Sequence, residues 1–268
     1  MLKTRIILVI VCIALVWSIF LLPKAVVEND SAISTVSDSV SAKIDVHAKA
    51  SSEVTKAISR LRSQYHEDSG KEKNAIFADS LANLYRIAGK FDSAAWFSNE
   101  ATKFFNTTES LIKTGDLYYE AYTFAVDRNK QNQLASQAQE NYLKVLDKDP
   151  GNLEVKNKLA MTYVSSSNPM QGITLLREVL RDDPKNEMAL YNMGMLSVQS
   201  GQNDKAVERL EELVKINPDH TQGQLLLGIA FLNLGKKKDA REQFEKVKQL
   251  DNDPAVQAAV DSYLKDLK

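Results

Sequence analysis

The chain has 268 residues, 44% hydrophobic and 26% charged, enough to bury a sizeable core and unlike the composition of a disordered chain. Lysine and arginine total 34 against 35 acidic residues, so there is no basic excess to neutralise a phosphate backbone, which argues against nucleic-acid binding. A single cysteine, Cys12, excludes an internal disulfide and any zinc site built from cysteines.

Residues Ile6 to Leu22 form an apolar run broken only by Ser18, and Pro23 comes next, where a helix would stop. As a helix the run reaches about 26 Å, enough for a thin bilayer core. Lys3 and Arg5 precede it, so the positive-inside rule keeps the N-terminus in the cytoplasm and sends the rest across the membrane. The expectation is a single-pass anchor over residues 1–23 in a bacterial inner membrane, with the remainder in the periplasm. A cleaved signal peptide is the alternative, and Pro23 and Ala25 with their bulky neighbours fit a cleavage site poorly. Beyond the anchor 32 basic residues face 35 acidic ones, which offers no attraction to an anionic membrane surface.

Residues 24–41 carry five serines and no aromatic residue and read as a flexible tether. Ile44, Ala50, Val54, Ile58, Leu61 and Tyr65 then recur at helical spacing and predict an amphipathic helix of about 25 residues. This helix and the turn at Glu67 to Gly70 make residues 42–73 an N-terminal cap for the helices beyond it.

From residue 74 onward the pattern is helical, and it repeats. Pro150, Pro184 and Pro218 are spaced 34 apart, as are Gly194 and Gly228, Gly201 and Gly235, and Ala206 and Ala240. Three units fall in phase: one carries Leu159, Ala160, Tyr163, Gly172, Leu176 and Pro184. The next carries Leu190, Gly194, Ala206, Leu210 and Pro218. The third carries Leu227, Gly228, Phe231, Ala240 and Phe244, with Asn252 at the proline place. Upstream, one unit has Leu81, Ala82, Tyr85 and Ala94 with Ser98 in an aromatic position. Another has Leu111, Gly115, Tyr118, Ala138 and Tyr142, with 23 residues from Gly115 to Ala138 where 12 is the norm. Its first helix is expected to be longer and to overhang one edge. Glycines 194 and 228 are expected where they let backbones cross against Ala206 and Ala240. Val256, Val260, Tyr263, Leu264 and Leu267 form one face of a closing helix over residues 253–268.

Over residues 74–252 these positions resemble tetratricopeptide repeats. The resemblance implies an all-α, right-handed α-solenoid of about five helix pairs with a capping helix at each end, preceded by the transmembrane helix. It also implies a concave surface built from the first helix of each pair. In the three clear units, the residues proposed for a peptide-binding groove are Asn157, Met161, Met188, Tyr191, Asn192, Met195, Leu225, Ile229 and Leu232. For a solvent-facing set they are unusually apolar, which points to a bound partner. The lysine-and-asparagine carboxylate clamp of chaperone-binding relatives is absent, because Asn157 and Met161 stand at its positions. Asn192 stands where relatives often bond a peptide backbone. Two occupants stay open: a protein or peptide partner, or the chain's own closing helix or insertion.

Nothing in the chain spells out an enzyme. His47, His66 and His220 have no second ligand at metal spacing, and Gly70-Lys71 lacks the rest of a phosphate loop. No catalytic, metal or cofactor residues are predicted. The function this implies is a membrane-tethered scaffold for protein–protein interaction, serving assembly or chaperoning of envelope proteins. The alternative is a structural module that forms homo-oligomers through the solenoid.

Overall fold

The computed structural model describes residues 50–66, 70–166 and 168–267. The apolar run Ile6–Leu22, the tether and the first part of the predicted capping helix lie outside the described residues. Among those described, twelve α-helices and no strand are found: α1 (Ser52–His66), α2 (Lys71–Ile87), α3 (Phe91–Phe105), α4 (Thr108–Phe124), α5 (Arg128–Lys148), α6 (Leu153–Val164), α7 (Pro169–Asp182), α8 (Glu187–Gln199), α9 (Asn203–Ile216), α10 (Thr221–Asn233), α11 (Lys237–Leu250) and α12 (Pro254–Asp266). None is long and apolar enough to cross a membrane. Five pairs, α2/α3 through α10/α11, pack in sequence between α1 and α12.

Among the described residues the leading helix covers Ser52–His66. It starts at Ser52, with the Ser51 hydroxyl accepting the Val54 N–H at 3.2 Å, so Ala50 stands before the cap rather than on the helix face. Its Ile58 enters the core, and Val54, Leu61 and Tyr65 pack on the first pair. That core continues without a break to Leu159 in α6.

Three pairs close through a glycine notch in the first helix. A Cβ built on Gly115 would lie 2.6 Å from the Tyr142 ring, on Gly194 2.6 Å from Leu210, and on Gly228 2.6 Å from the Phe244 ring. These glycines therefore admit a large side chain from the partner helix and do not mark crossings against Ala206 and Ala240. The close backbone approach falls at Gly172, whose Cβ would sit 2.3 Å from the carbonyl oxygen of Ala160. In the first pair the notch positions hold Ala82 and Ser98. Ser98 is buried, and its hydroxyl bonds Thr114 at 2.7 Å, which also bonds Thr102 at 2.9 Å. Three hydroxyls satisfy one another where the repeat pattern has an aromatic ring.

The turns between pairs repeat as faithfully as the helices. Asp183, Asn217 and Asp251 hold extended backbone, Asp149 lies near it at φ −136° and ψ 82°, and all four accept, through the side chain, the N–H two residues on. A proline comes directly after three of them, and extended backbone is what a residue before proline prefers. The next helix is then capped by Asn152, Asn186 or His220, whose side chains accept from Val155, Ala189 and Gly223 at 3.0 to 3.1 Å. His220 accepts through Nδ1, so it is a helix cap and not an idle surface histidine. After α11, where Asn252 replaces the proline, Asp253 caps α12 and Pro254 occupies its first turn. Within the last two complete pairs, Gly201 and Gly235 both take φ 72°, a conformation costly for any residue with a Cβ.

The second pair absorbs its extra residues in both helices. Elsewhere from α6 to α11 the first helices have 12 or 13 residues and the second have 14, whereas α4 has 17 and α5 has 21. The end of α4 does not hang free: the Tyr122 hydroxyl donates to the Ser165 carbonyl, and Tyr119 stacks on Tyr122 with its own hydroxyl 3.3 Å from Ser165 Oγ. Phe124 stacks on Phe91 at 4.2 Å. At the other end α12 lies on α11, with Val256 and Val260 buried and Tyr263 stacked on Phe244 at 5.0 Å.

Two substitutions test these contacts by thermal unfolding. Gly172→Ala should destabilise by about 1–3 kcal/mol, since overpacking at Ala160 outweighs alanine's helix preference of about 1 kcal/mol. A raised midpoint would refute the close approach. His220→Ala should cost about 1 kcal/mol as a lost cap, while His220→Asn retains the stability, because asparagine serves at the two equivalent places.

Candidate peptide-binding groove

The first helices α2, α4, α6 and α8 line a groove of about 920 Å³. Two of its walls differ in chemistry. Toward α8 it is apolar, formed by Met161, Met188 and Tyr191, with Ile112 opposite on α4. Toward α2 it is charged, with Arg86, Lys113, Asp116, Glu120 and Lys158.

Of the nine residues proposed from sequence, Asn157, Met161, Met188, Tyr191 and Asn192 line this groove. Met195 and Leu232 are half-buried outside its lining, and Leu225 and Ile229 are buried. The reason lies in α10, which packs against α8, α9 and α11 and buries every residue from Gly223 to Phe231. Its apolar positions are core, so the groove lies further upstream than the three clear units suggest. The closing helix is not placed in it.

The residues that sequence reasoning missed, chiefly Arg86, Ile112, Lys113, Asp116 and Tyr119, belong to the two loosely matched pairs. A signal for them exists. Taking Gly115 as equivalent to Ala160 and Gly194 puts Ile112, Asp116 and Tyr119 at the places of Asn157, Met161 and Val164 in α6.

Three ion pairs cross between neighbouring first helices. Arg86 meets Glu120 at 2.7 Å, Lys113 meets Asp79 at 2.6 Å, and Lys158 meets Asp116 at 2.7 Å. Lys158 also reaches Glu154 at 3.2 Å. Burial opposes its charge, but the bonds from Asp116 and Glu154 outweigh that cost and hold its pKa above the ordinary lysine value. The other oxygen of Asp116 accepts the Tyr142 hydroxyl at 2.7 Å. Burial first, and the Asp116 charge second, push the Tyr142 phenol far above its usual range, so it remains a donor. Tyr142 thus fills the Gly115 notch with its ring and fixes a groove carboxylate with its hydroxyl.

The two asparagines behave differently. Asn157 donates to the Leu153 carbonyl at 3.0 Å and to Asn186 Oδ1 at 3.1 Å, which braces the residue that caps α8. It serves the joint between pairs. Asn192 is 7% exposed, and its amide has no hydrogen-bond partner among the described residues. Beside it Tyr191 stacks on His220 at 5.4 Å, and burial raises its phenol pKa. Among the described residues no cluster of three or more histidine, cysteine or acidic side chains is placed to hold a metal ion.

Stacked helix pairs with a concave groove define a repeat scaffold of the kind that holds extended partners. A tetratricopeptide repeat family model matches residues 164–227 and 197–262, so this stretch carries tetratricopeptide repeats. Its fold is similar to that of a tetratricopeptide repeat protein from Parabacteroides merdae, with 17% identity, a TM-score of 0.59, and coverage of 80% of this chain and 82% of the other. It is also similar to MamA from Desulfovibrio magneticus RS-1, from residue 41 to the end, with 18% identity, a TM-score of 0.50, and coverage of 68% and 97%. At these identities the likeness concerns the fold. No curated protein matches the chain.

Tyr142→Phe keeps the ring in its notch and removes the bond to Asp116. It should lower stability by about 1.5–3 kcal/mol, and the loss should shrink in an Asp116→Asn background. A full-sized loss in both backgrounds, measured by denaturant unfolding, would show that the bond to Asp116 is not its cause.

Proposed function

We propose that the chain is a membrane-tethered scaffold that holds a segment of a partner protein in the groove between α2 and α8. The observation that carries this reading is the Asn192 amide, which lines the groove with its donors and acceptor unused among the described residues. The backbone N–H and C=O of an extended segment are the complementary pair for this amide. Met161, Met188 and Tyr191 around it supply adaptable apolar area for side chains. Tethering is supported by the Ile6–Leu22 run and the basic residues before it. On that topology the repeats lie in a bacterial periplasm, where such a scaffold serves assembly or chaperoning of envelope proteins.

A photo-reactive side chain at Met188, compared with one at the exposed Met170 on α7, tests the groove in native membranes. Cross-linking to a defined partner should occur from Met188 and be lost in a Tyr191→Ala, Asn192→Ala chain whose helical circular dichroism is unchanged. Equal cross-linking from Met170, or capture that survives both alanines, would remove the groove from the interaction.

A further inference from the structure

No cation that lines the groove is free of a carboxylate partner. Three cations and three carboxylates face it, and each cation is already engaged, Arg86 by Glu120, Lys113 by Asp79 and Lys158 by Asp116. Partners held within one hydrogen bond of each other neutralise their fields over distances far below the Debye length of about 8 Å. An acidic peptide that meets Lys158 also meets Asp116 and Glu154, and a basic peptide that meets Glu120 also meets Arg86. Neither sign is drawn in, and either must displace an existing partner to form a pair of its own. Glu109, the lining carboxylate with no ion pair among the described residues, stands exposed in the first turn of α4.

Apart from Glu109 at the exposed start of α4, what the groove offers without an internal partner is uncharged: the Asn192 amide and the apolar wall of Met161, Met188 and Tyr191. The groove crosses four first helices, and at about 8–10 Å between neighbouring axes its length is about 25–30 Å. An extended chain covers that distance with about eight residues. We infer that the partner presents an extended segment of about eight residues, uncharged along its length, with a bulky apolar side chain seated against Met161, Met188 and Tyr191. This rests on the groove being the binding surface, and adds the chemistry of what binds there.

The full-length chain, immobilised in detergent, is exposed to a pool of octapeptides capped at both ends, with neutral, acidic and basic members equally represented. Retained peptides are counted by mass spectrometry, with the Tyr191→Ala, Asn192→Ala chain as background. Neutral peptides containing Leu, Phe or Met should be enriched about tenfold over charged ones, a difference of about 1.4 kcal/mol. An Asp116→Asn chain, which releases Lys158 from its nearest carboxylate, should retain more acidic peptides. Enrichment of acidic or basic members on the unaltered chain overturns the inference, as does failure of any peptide to exceed background. If enrichment fails while cross-linking from Met188 still depends on Tyr191 and Asn192, the neutral segment is wrong and the groove stands. If that dependence fails too, both fall.

Discussion

Three of the five pairs in this solenoid close on a glycine notch in the first helix. Where that helix carries glycine, the second helix inserts Tyr142, Leu210 or Phe244, and no room is left for even one methyl group at the bottom. The volume of a side chain on one helix is matched to a missing side chain on the other, so the two helices approach without a void and without strain. The pairs stack because their outer apolar sides then meet, and the groove exists because the stacked first helices present one more side that nothing in the chain's own repeats needs to fill. Tyr142 shows the connection most directly, since the ring that closes the second pair also ends in the hydroxyl that holds Asp116 in the groove.

Much of the architecture was legible because the repeat writes the same small and large residues at the same places. Glycines 194 and 228 mark the notch and Pro150, Pro184 and Pro218 mark the joints, and all lie in helices or turns where the pattern placed them. What the pattern could not say was which contact each small residue makes. Glycine permits any close approach, and spacing alone does not separate a backbone crossing, as at Gly172, from a receptacle for a ring, as at Gly228. Ser98 is anomalous among aromatic positions and becomes ordinary once Thr102 and Thr114 are beside it, because those partners are 4 and 16 residues away on two helices.

The groove was legible in half of its extent. Positions on α6 and α8 came from the phase of the clear repeats, while Leu225 and Ile229 illustrate the limit of that phase: an apolar residue at a concave position is indistinguishable in sequence from one in the core, and only the packing of α10 decides. The charged wall was missed for a different reason. Its residues lie in pairs whose repeat pattern is interrupted, and charged side chains on a helix read as solvated until the neighbouring helix supplies the opposite charge at hydrogen-bond distance. Ion pairs such as Arg86 with Glu120 and Lys113 with Asp79 join residues 34 positions apart, one repeat length, so the period itself carried the information.

The long second pair also bears on how the chain finds its register as it folds. Units built to one pattern are nearly interchangeable, and an array of them is open to slippage, in which a helix docks on the wrong neighbour or on the equivalent helix of another molecule. A pair with helices of 17 and 21 residues differs from the 12- to 14-residue helices of the three pairs after it, and the tyrosines at the end of α4 bond Ser165 in the turn after α6. The irregular unit therefore breaks the uniformity of the array near the start of the repeats, and uniformity is what slippage depends on.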